Sequence, residues 1–339
     1  MTSLDRLQKL VSKFKGKRVL VCGASGMTGR NLYEFMIDLG ADVKGTYYSR
    51  QSFHRSGMSM IDEPQGKFLW VDFTSKLQTD RLFHEFDFDY VFICCAKTYN
   101  AFVCVNDPTS MILPNVNMVG NILDACHRNK VGKVVYVSSA TVYQDANYPI
   151  AESELDLNQN PHPLYMGVGW MKRYAEKLCE FYAQQGLNVA VVRPTNIYGA
   201  FDKVDEDVCH VIPALVMRAL KHEPVFKVYG TGKPVKNFIH VDDFVRDLTV
   251  VAADARGGSV YNICSDEVVT VASLAHMIQE AVGNKAPVEF LDDHDTFTYR
   301  ALNRNLFDTT FGKQLYIPLT QGLKDVVEWY SSLHPTVSR

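Results

Sequence analysis

Three glycines, Gly23, Gly26 and Gly29, stand at three-residue spacing directly after the apolar run Val19-Leu20-Val21-Cys22. Glycine at those points lets the chain turn with positive φ and lets the backbone approach a pyrophosphate. It also lets a following helix pack closely with its N-terminal amides toward the anion. That helix is written next, as Leu32, Phe35, Met36 and Leu39 before a stop at Gly40. Three glycines alone describe any tight turn, but a strand before them and a helix after them predict a dinucleotide phosphate site. An acid at the end of the second strand would bond a ribose 2′-hydroxyl, whereas a base would accept a 2′-phosphate. Tyr47 occupies that place and Ser49 and Arg50 follow. NADP(H) is therefore favoured and NAD(H) admissible, with a solvated surface charge as the plainer reading of Arg50. Asp72, ending the third strand, is placed either to bond an adenine amino group or to cap its own loop. Further on, Ser138 and Ser139 close a strand, and a helix carrying Lys172 begins roughly thirty residues later.

The elements that must position these groups alternate. Strand patterns at residues 42–48, 68–73, 90–96, 133–138 and 189–193 are interleaved with helical stripes at about 116–129 and 170–185. Alternation of this kind predicts an α/β fold, a Rossmann-type doubly wound parallel sheet. From Gly199 the pattern turns irregular, returns to a strand near Phe238 to Val241, and ends in helices near Val271 to Val282 and Leu323 to Ser331. The predicted division is a dinucleotide-binding domain over 1–198, with a returning segment near 234–264. A smaller C-terminal substrate-binding lobe over 199–233 and 265–339 would close over the strand ends.

Composition narrows the class. The chain has 339 residues, 47% of them apolar, and a formal net charge of −3. That is enough to bury a large core and gives no field that implies nucleic acid or an anionic membrane as partner. No apolar run approaches the ~18 residues of a membrane span. The first residues carry Leu4, Leu7, Leu10, Val11 and Phe14 on one face without a contiguous apolar stretch, so a short packing helix is expected there. Eight cysteines with no C-x-x-C pair suit reduced core thiols of a cytoplasmic protein, and no metal site is expected.

Further motifs fall in order along the chain: Asn115-Val116-Asn117-Met118, Ser138-Ser139-x-x-Val142-Tyr143, Lys172-x-x-x-Glu176, Arg193-Pro194-Thr195-Asn196-Ile197-Tyr198-Gly199, His210-Val211-Ile212-Pro213-Ala214-Leu215 and Phe238-Ile239-His240-Val241-Asp242-Asp243. With the glycine run and Asp72, they resemble the extended short-chain dehydrogenase/reductases of the NAD(P)-dependent nucleotide-sugar epimerase/dehydratase family over nearly the whole length. The likeness is closest to the GDP-L-fucose synthase-like members. The resemblance implies a catalytic set of Ser139, Tyr165, Lys172, Asn115 and His210, with Ser139 bonding the reacting sugar oxygen and Lys172 the nicotinamide ribose. It implies a cofactor shell of Gly23, Ser25, Gly26, Met27, Gly29, Tyr47, Ser49, Arg50, Asp72, Phe73, Ala96, Lys172, Thr195, Asn196 and Ile197. Lys97, Thr141, Asn196, His210, Val211, Lys236 and Arg300 would contact the nucleotide sugar. A homodimer through the two long helices is implied as well.

One departure matters. The family's proton-transfer group is a tyrosine four residues before the lysine, where an ammonium on the same helix face lowers the phenol pKa. Val168 holds that position. Either Tyr165, between Pro163 and Gly167, swings into the vacant place from a loop, or the usual acid is absent. In a continuous helix Tyr165 would stand ~10 Å from Lys172 along the axis. Ala140 and Thr141 replace the carboxylate pair of a 4,6-dehydratase, and Thr141 also replaces the cysteine base used in C3/C5 epimerisation. Hydride transfer at C4, as a 4-keto reductase or a 4-epimerase, is the expected reaction. The competing expectation is a catalytically silent protein that binds a dinucleotide and a nucleotide sugar.

Overall fold

The computed structural model describes residues 3–49, 67–97, 107, 109–206, 209–291 and 299–333. Strand β1 (Arg18–Cys22) sets the architecture: its last four side chains are fully buried, Val19 and Val21 in one apolar cluster and Leu20 and Cys22 in another. A strand apolar on both sides must be covered on both sides. Around it lie β2 (Asp42–Tyr47), β3 (Phe68–Trp70), β4 (Tyr90–Ile93), β5 (Lys133–Val137), β6 (Val189–Pro194) and β10 (Val260–Ile263). Their order is β3-β2-β1-β4-β5-β6-β10, parallel throughout. This is the doubly wound sheet expected, with its switch in strand order beside β1.

Helices α1 (Ser3–Phe14), α2 (Met27–Asp38) and α7 (Val241–Asp254) cover one face through Phe14, Leu32, Met36, Phe244 and Leu248. The other face is covered by α3 (Lys76–Glu85), α4 (Thr109–Arg128) and α5 (Met166–Gln184) through Phe83, Ile122, Leu123 and Cys179. Helix α4 begins seven residues earlier than its apolar stripe suggests and runs through Pro114. Proline has no N–H for the Ser110 carbonyl. Lys97 Nζ donates to that oxygen at 3.1 Å, and Asn115 Nδ2 donates to Met111 O at 2.7 Å, so the turn is held.

Beyond β6 the chain is more regular than its pattern suggests. Strand β7 (Asn196–Tyr198) leaves the large sheet directly and pairs with β9 (Val235–His240). That strand also pairs with β11 (Val268–Thr270) and β13 (Tyr299–Arg300). Helices α6 (Val211–Leu220), α8 (Val271–Val282) and α10 (Leu319–Leu333) enclose a separate apolar cluster that includes Leu215, Ile278 and Val326, with the pair β8 (Phe226–Tyr229) and β12 (Val288–Leu291) beside them. The segment near 234–264 is thus shared: β9 lies in the second sheet, while α7 and β10 build on the large one, where α9 (Asn305–Phe311) packs on β10.

Candidate active site

The carboxyl ends of β1, β4 and β5 bring the predicted phosphate turn and the lysine together. Gly23 sits at φ +82°, and a Cβ there would stand 2.7 Å from the Cys95 Cα just past β4. A Cβ on Gly29 would fall 2.2 Å from the Gly23 carbonyl oxygen, so α2 can approach the turn only with glycine at that point. Gly26 is the N-cap of α2, no side chain caps it, and Met27 opens the helix. Amides at such an end face an anion. These residues fit the diphosphate of a dinucleotide. Ser25 is buried in the same turn, and the Gly23 amide donates to Thr46 Oγ1 at 3.0 Å.

Around this turn the remaining predicted cofactor residues are distributed unevenly. Tyr47 ends β2 opposite Trp70, with Ser49 just beyond, while Arg50 lies outside the described residues. The Asp72 carboxylate accepts from Thr74 N and Oγ1, which caps its own loop, and Phe73 is buried in the core. Ala96 is exposed after β4. Asn115 spends its amide on the same strand end: Oδ1 accepts from Lys97 N at 2.8 Å and Nδ2 donates to Lys97 O at 3.0 Å.

Lys172 is buried at the end of β5, where Nζ donates to Val137 O at 2.9 Å and lies 4.9 Å from the Tyr136 ring centre. Burial brings its ammonium down from 10.5 to about 8, although Cys95 and Glu176 work the other way. Ser139 Oγ accepts from Thr141 N at 3.1 Å and so caps the short 3-10 turn Ala140–Val142. That leaves the serine's own proton to give. The Thr141 hydroxyl is buried with no hydrogen-bond partner among the described residues.

The helix bearing Lys172 is continuous from Met166, with Tyr165 as its N-cap. Val168 therefore lies one turn before Lys172, and Tyr165 about two. The Tyr165 ring is covered by the Arg300 guanidinium, 3.6 Å from its centre, with His162 at 6.0 Å between ring centres. Arg300 in turn sits beside Lys236 in the β13–β9 register.

Thr195 Oγ1 donates to Asn237 O at 2.8 Å and Asn196 Nδ2 to the same oxygen at 2.9 Å, while Ile197 pairs with Ile239. His210 is the N-cap of α6, half-exposed, and Val211 is the first helical residue. The His210 Nδ1 stands 3.5 Å from Oδ2 of Asp202, a buried carboxylate whose Oδ1 accepts from Lys203 N. Sequence reasoning did not find Asp202, since nothing local marks it as the partner of a histidine eight residues on.

A buried network underlies the strand ends. Arg193 donates to both oxygens of Glu176, the shortest bond being 2.7 Å, and to Tyr143 OH at 2.8 Å. Ser138 Oγ donates to Glu176 Oε1 at 2.5 Å, and Tyr143 OH to Asn262 Oδ1 at 2.7 Å. Burial works against the Arg193 charge, but the Glu176 carboxylate outweighs it and raises the guanidinium pKa. Arg173 was also missed: it donates to Val142 O and Gln159 O and so ties α5 to the turn after Ser139. The signal was available as two motif residues, Glu176 and Arg193, but their pairing is long-range.

Residues 19–264 match the model of the NAD dependent epimerase/dehydratase family. The chain is 31% identical to the GDP-L-fucose synthase of Escherichia coli (strain K12) over 261 residues, which cover 71% of this chain and 80% of the relative. It is 25% identical to a dTDP-4-dehydro-6-deoxy-D-allose reductase from Streptomyces sp over 331 residues, covering 94% of this chain and 97% of the relative. A GDP-L-fucose synthetase from Naegleria fowleri, solved bound to NADP, shares the fold with a TM-score of 0.80 at 23% identity, over 96% of each chain.

Proposed function

Because the chain belongs to the NAD dependent epimerase/dehydratase family, we propose that it is an enzyme that transfers a hydride between a nicotinamide dinucleotide and C4 of a nucleotide-activated sugar, in the direction of 4-keto reduction. One observation carries this reading. The glycine turn, Lys172 and Ser139 meet at the carboxyl ends of neighbouring strands, beside the switch in strand order. When bound, the dinucleotide supplies the hydride. NADP(H) is the preferred form and NAD(H) is admissible, since Tyr47 rather than an acid ends β2; the NADP-bound structure of the Naegleria relative agrees.

The chain's own residues do the rest. The turn from Gly23 to Gly29 and the α2 amides hold the diphosphate of the dinucleotide, and Lys172 holds its nicotinamide ribose. Ser139 gives its proton to the carbonyl oxygen as a hydrogen bond and so polarises it. Thr195 and Asn196, fixed by Asn237, border the sugar. Lys236 and Arg300 lie side by side on adjacent strands, and two cations there suit the diphosphate of the sugar nucleotide. The Thr141 hydroxyl is too weak a base to epimerise a ring carbon, so reduction proceeds without it.

The curated relatives named fucose synthase and 4-dehydro-sugar reductase support a nucleotide-sugar substrate. Val168 favours the competing reading, a silent binder. Mixing the protein with NADPH and GDP- or dTDP-linked 4-keto-6-deoxyhexoses and following absorbance at the reduced nicotinamide band separates the two. Consumption of NADPH supports the enzyme, and binding of both ligands without consumption supports the binder.

We assign a homodimer to the exposed apolar side chains Trp170, Tyr174 and Phe181 on α5 and Leu113 on α4, the helix packed against it. The described cysteines are all free thiols, which suits the reducing cytoplasm. No described helix is long and apolar enough to cross a membrane.

A further inference from the structure

Reduction of a carbonyl needs a proton as well as a hydride, and position 168 cannot give one. Helix α5 is unbroken from Met166, so Val168 occupies the face one turn before Lys172 where a phenol would couple to the ammonium. Tyr165 stands ~10 Å away along the axis, its ring beneath Arg300 and beside His162. The Thr141 hydroxyl is buried, and the Ser139 hydroxyl can polarise an oxygen but cannot lose its proton near neutral pH. Among the groups at these strand ends, Lys172 remains.

Its surroundings suit the task. Nζ is given one acceptor, Val137 O, and an ammonium has three protons. The titratable groups facing it are Cys94 and Cys95 beyond β4, Glu176 and Cys179 on its own helix, and Tyr136 on β5. Burial raises all three thiols, Cys95 to about 12, and raises the Tyr136 phenol, so each is neutral at working pH. The Glu176 carboxylate is engaged by Arg193 and Ser138. Lys172 is therefore a buried cation with no carboxylate bonded to it among the described residues, and its ammonium is brought down to about 8.

Resting on the reductase reading above, we propose that Lys172 is itself the proton donor of the reaction, acting through a water, since Val168 offers no acid on that helix face. C4 accepts the hydride of the reduced nicotinamide dinucleotide as its carbonyl double bond opens. The C4 oxygen takes a proton from the water, the water takes one from the ammonium, and the neutral amine recovers its proton from solvent.

Three measurements test this. Titration of ε-13C-labelled lysine by NMR, with the Lys172 signal assigned by its loss in Lys172→Arg, should give a midpoint near pH 8; a midpoint at 10 or above overturns the proposal. Turnover of NADPH with a dTDP-4-keto-6-deoxyhexose should fall tenfold per pH unit above about pH 8 in the wild type. Lys172→Arg keeps a cation against the ribose but holds its proton, so kcat should fall at least a hundredfold, and at least tenfold more than NADPH affinity does. Adding Val168→Tyr to Lys172→Arg should recover at least tenfold of kcat, because a phenol returns beside a cation. A Lys172→Arg variant that keeps kcat within fivefold, or that loses NADPH binding in parallel with kcat, overturns the proposal and leaves the lysine as a ribose holder. Failure of the reductase reading shows differently, as a wild type that binds no NADPH, or binds it with the sugar and never consumes it, and it takes this inference with it.

Discussion

Lys172 concentrates the chemistry of this chain and also burdens its fold. The unfolded chain keeps the lysine proton up to about pH 10.5 and the folded chain only to about 8. Between those values the unfolded state binds more protons, so the contribution of this residue to stability climbs as pH rises through the window. Lys172→Met should therefore be more stable than the wild type at pH 7, by about 2 kcal/mol, and should lose that advantage by pH 10. Urea melts at both pH values check it; an advantage that does not change with pH would show that burial of the ammonium is not its source. Tyr165 makes a separate case. If its ring serves to seat Arg300, Tyr165→Leu raises KM for the nucleotide sugar several-fold and leaves a measurable kcat. A collapse of kcat with unchanged KM would instead give the proton to the phenol. The Asp202–His210 pair belongs to the same scale, a buried carboxylate 3.5 Å from a half-exposed imidazole at the mouth of α6.

Helix α5 is the element on which the site depends, because it must come close enough to the 3-10 turn after Ser139 to place Lys172 under β5. Gly169 permits this: a Cβ there would stand 2.5 Å from both Thr141 O and the Pro161 side chain. Gly169→Ala should lower stability by about 2–4 kcal/mol and cut kcat more than it weakens NADPH binding, since backbone and proline cannot give way. Thermal melts and NADPH titration of that variant test it, and unchanged stability would contradict the packing described. Elements of this kind were legible where the information is local. The apolar run of β1, the glycine turn and the lysine helix each declare themselves within a dozen residues. Helix α7 did not, because Asp243 and Asp247 are buried among its apolar residues, paired with Arg246, Tyr316 and the Ile317 amide, and charges on the inward face break the stripe that would mark a helix. Nor did the start of α4, where Pro114 suggests a break that Lys97 and Asn115 repair from outside. The stacking of Arg300 on Tyr165 and the link from Asn237 to Thr195 join residues far apart in the chain, so no window of sequence contains them.

At the scale of the whole molecule, a seven-stranded sheet carries the dinucleotide turn, and a second sheet, centred on β9, carries the cations Lys236 and Arg300 on neighbouring strands, with Arg300 over the ring of Tyr165. The outer faces of α4 and α5 leave large apolar side chains in solvent, with Phe181 56% and Leu113 64% exposed. Light scattering at micromolar concentration should give twice the chain mass, and Tyr174→Glu with Phe181→Glu should give the monomer. A wild-type monomer would remove the dimer. The central claim, that this crevice moves a hydride to a sugar, is tested most directly by isotope transfer. Protein incubated with [4-2H]NADPH, labelled in turn on each face, and a nucleotide-linked 4-keto-6-deoxyhexose should yield a sugar carrying deuterium at C4 from one face only. Recovery of the sugar unlabelled from both, with the dinucleotide unoxidised, would contradict it.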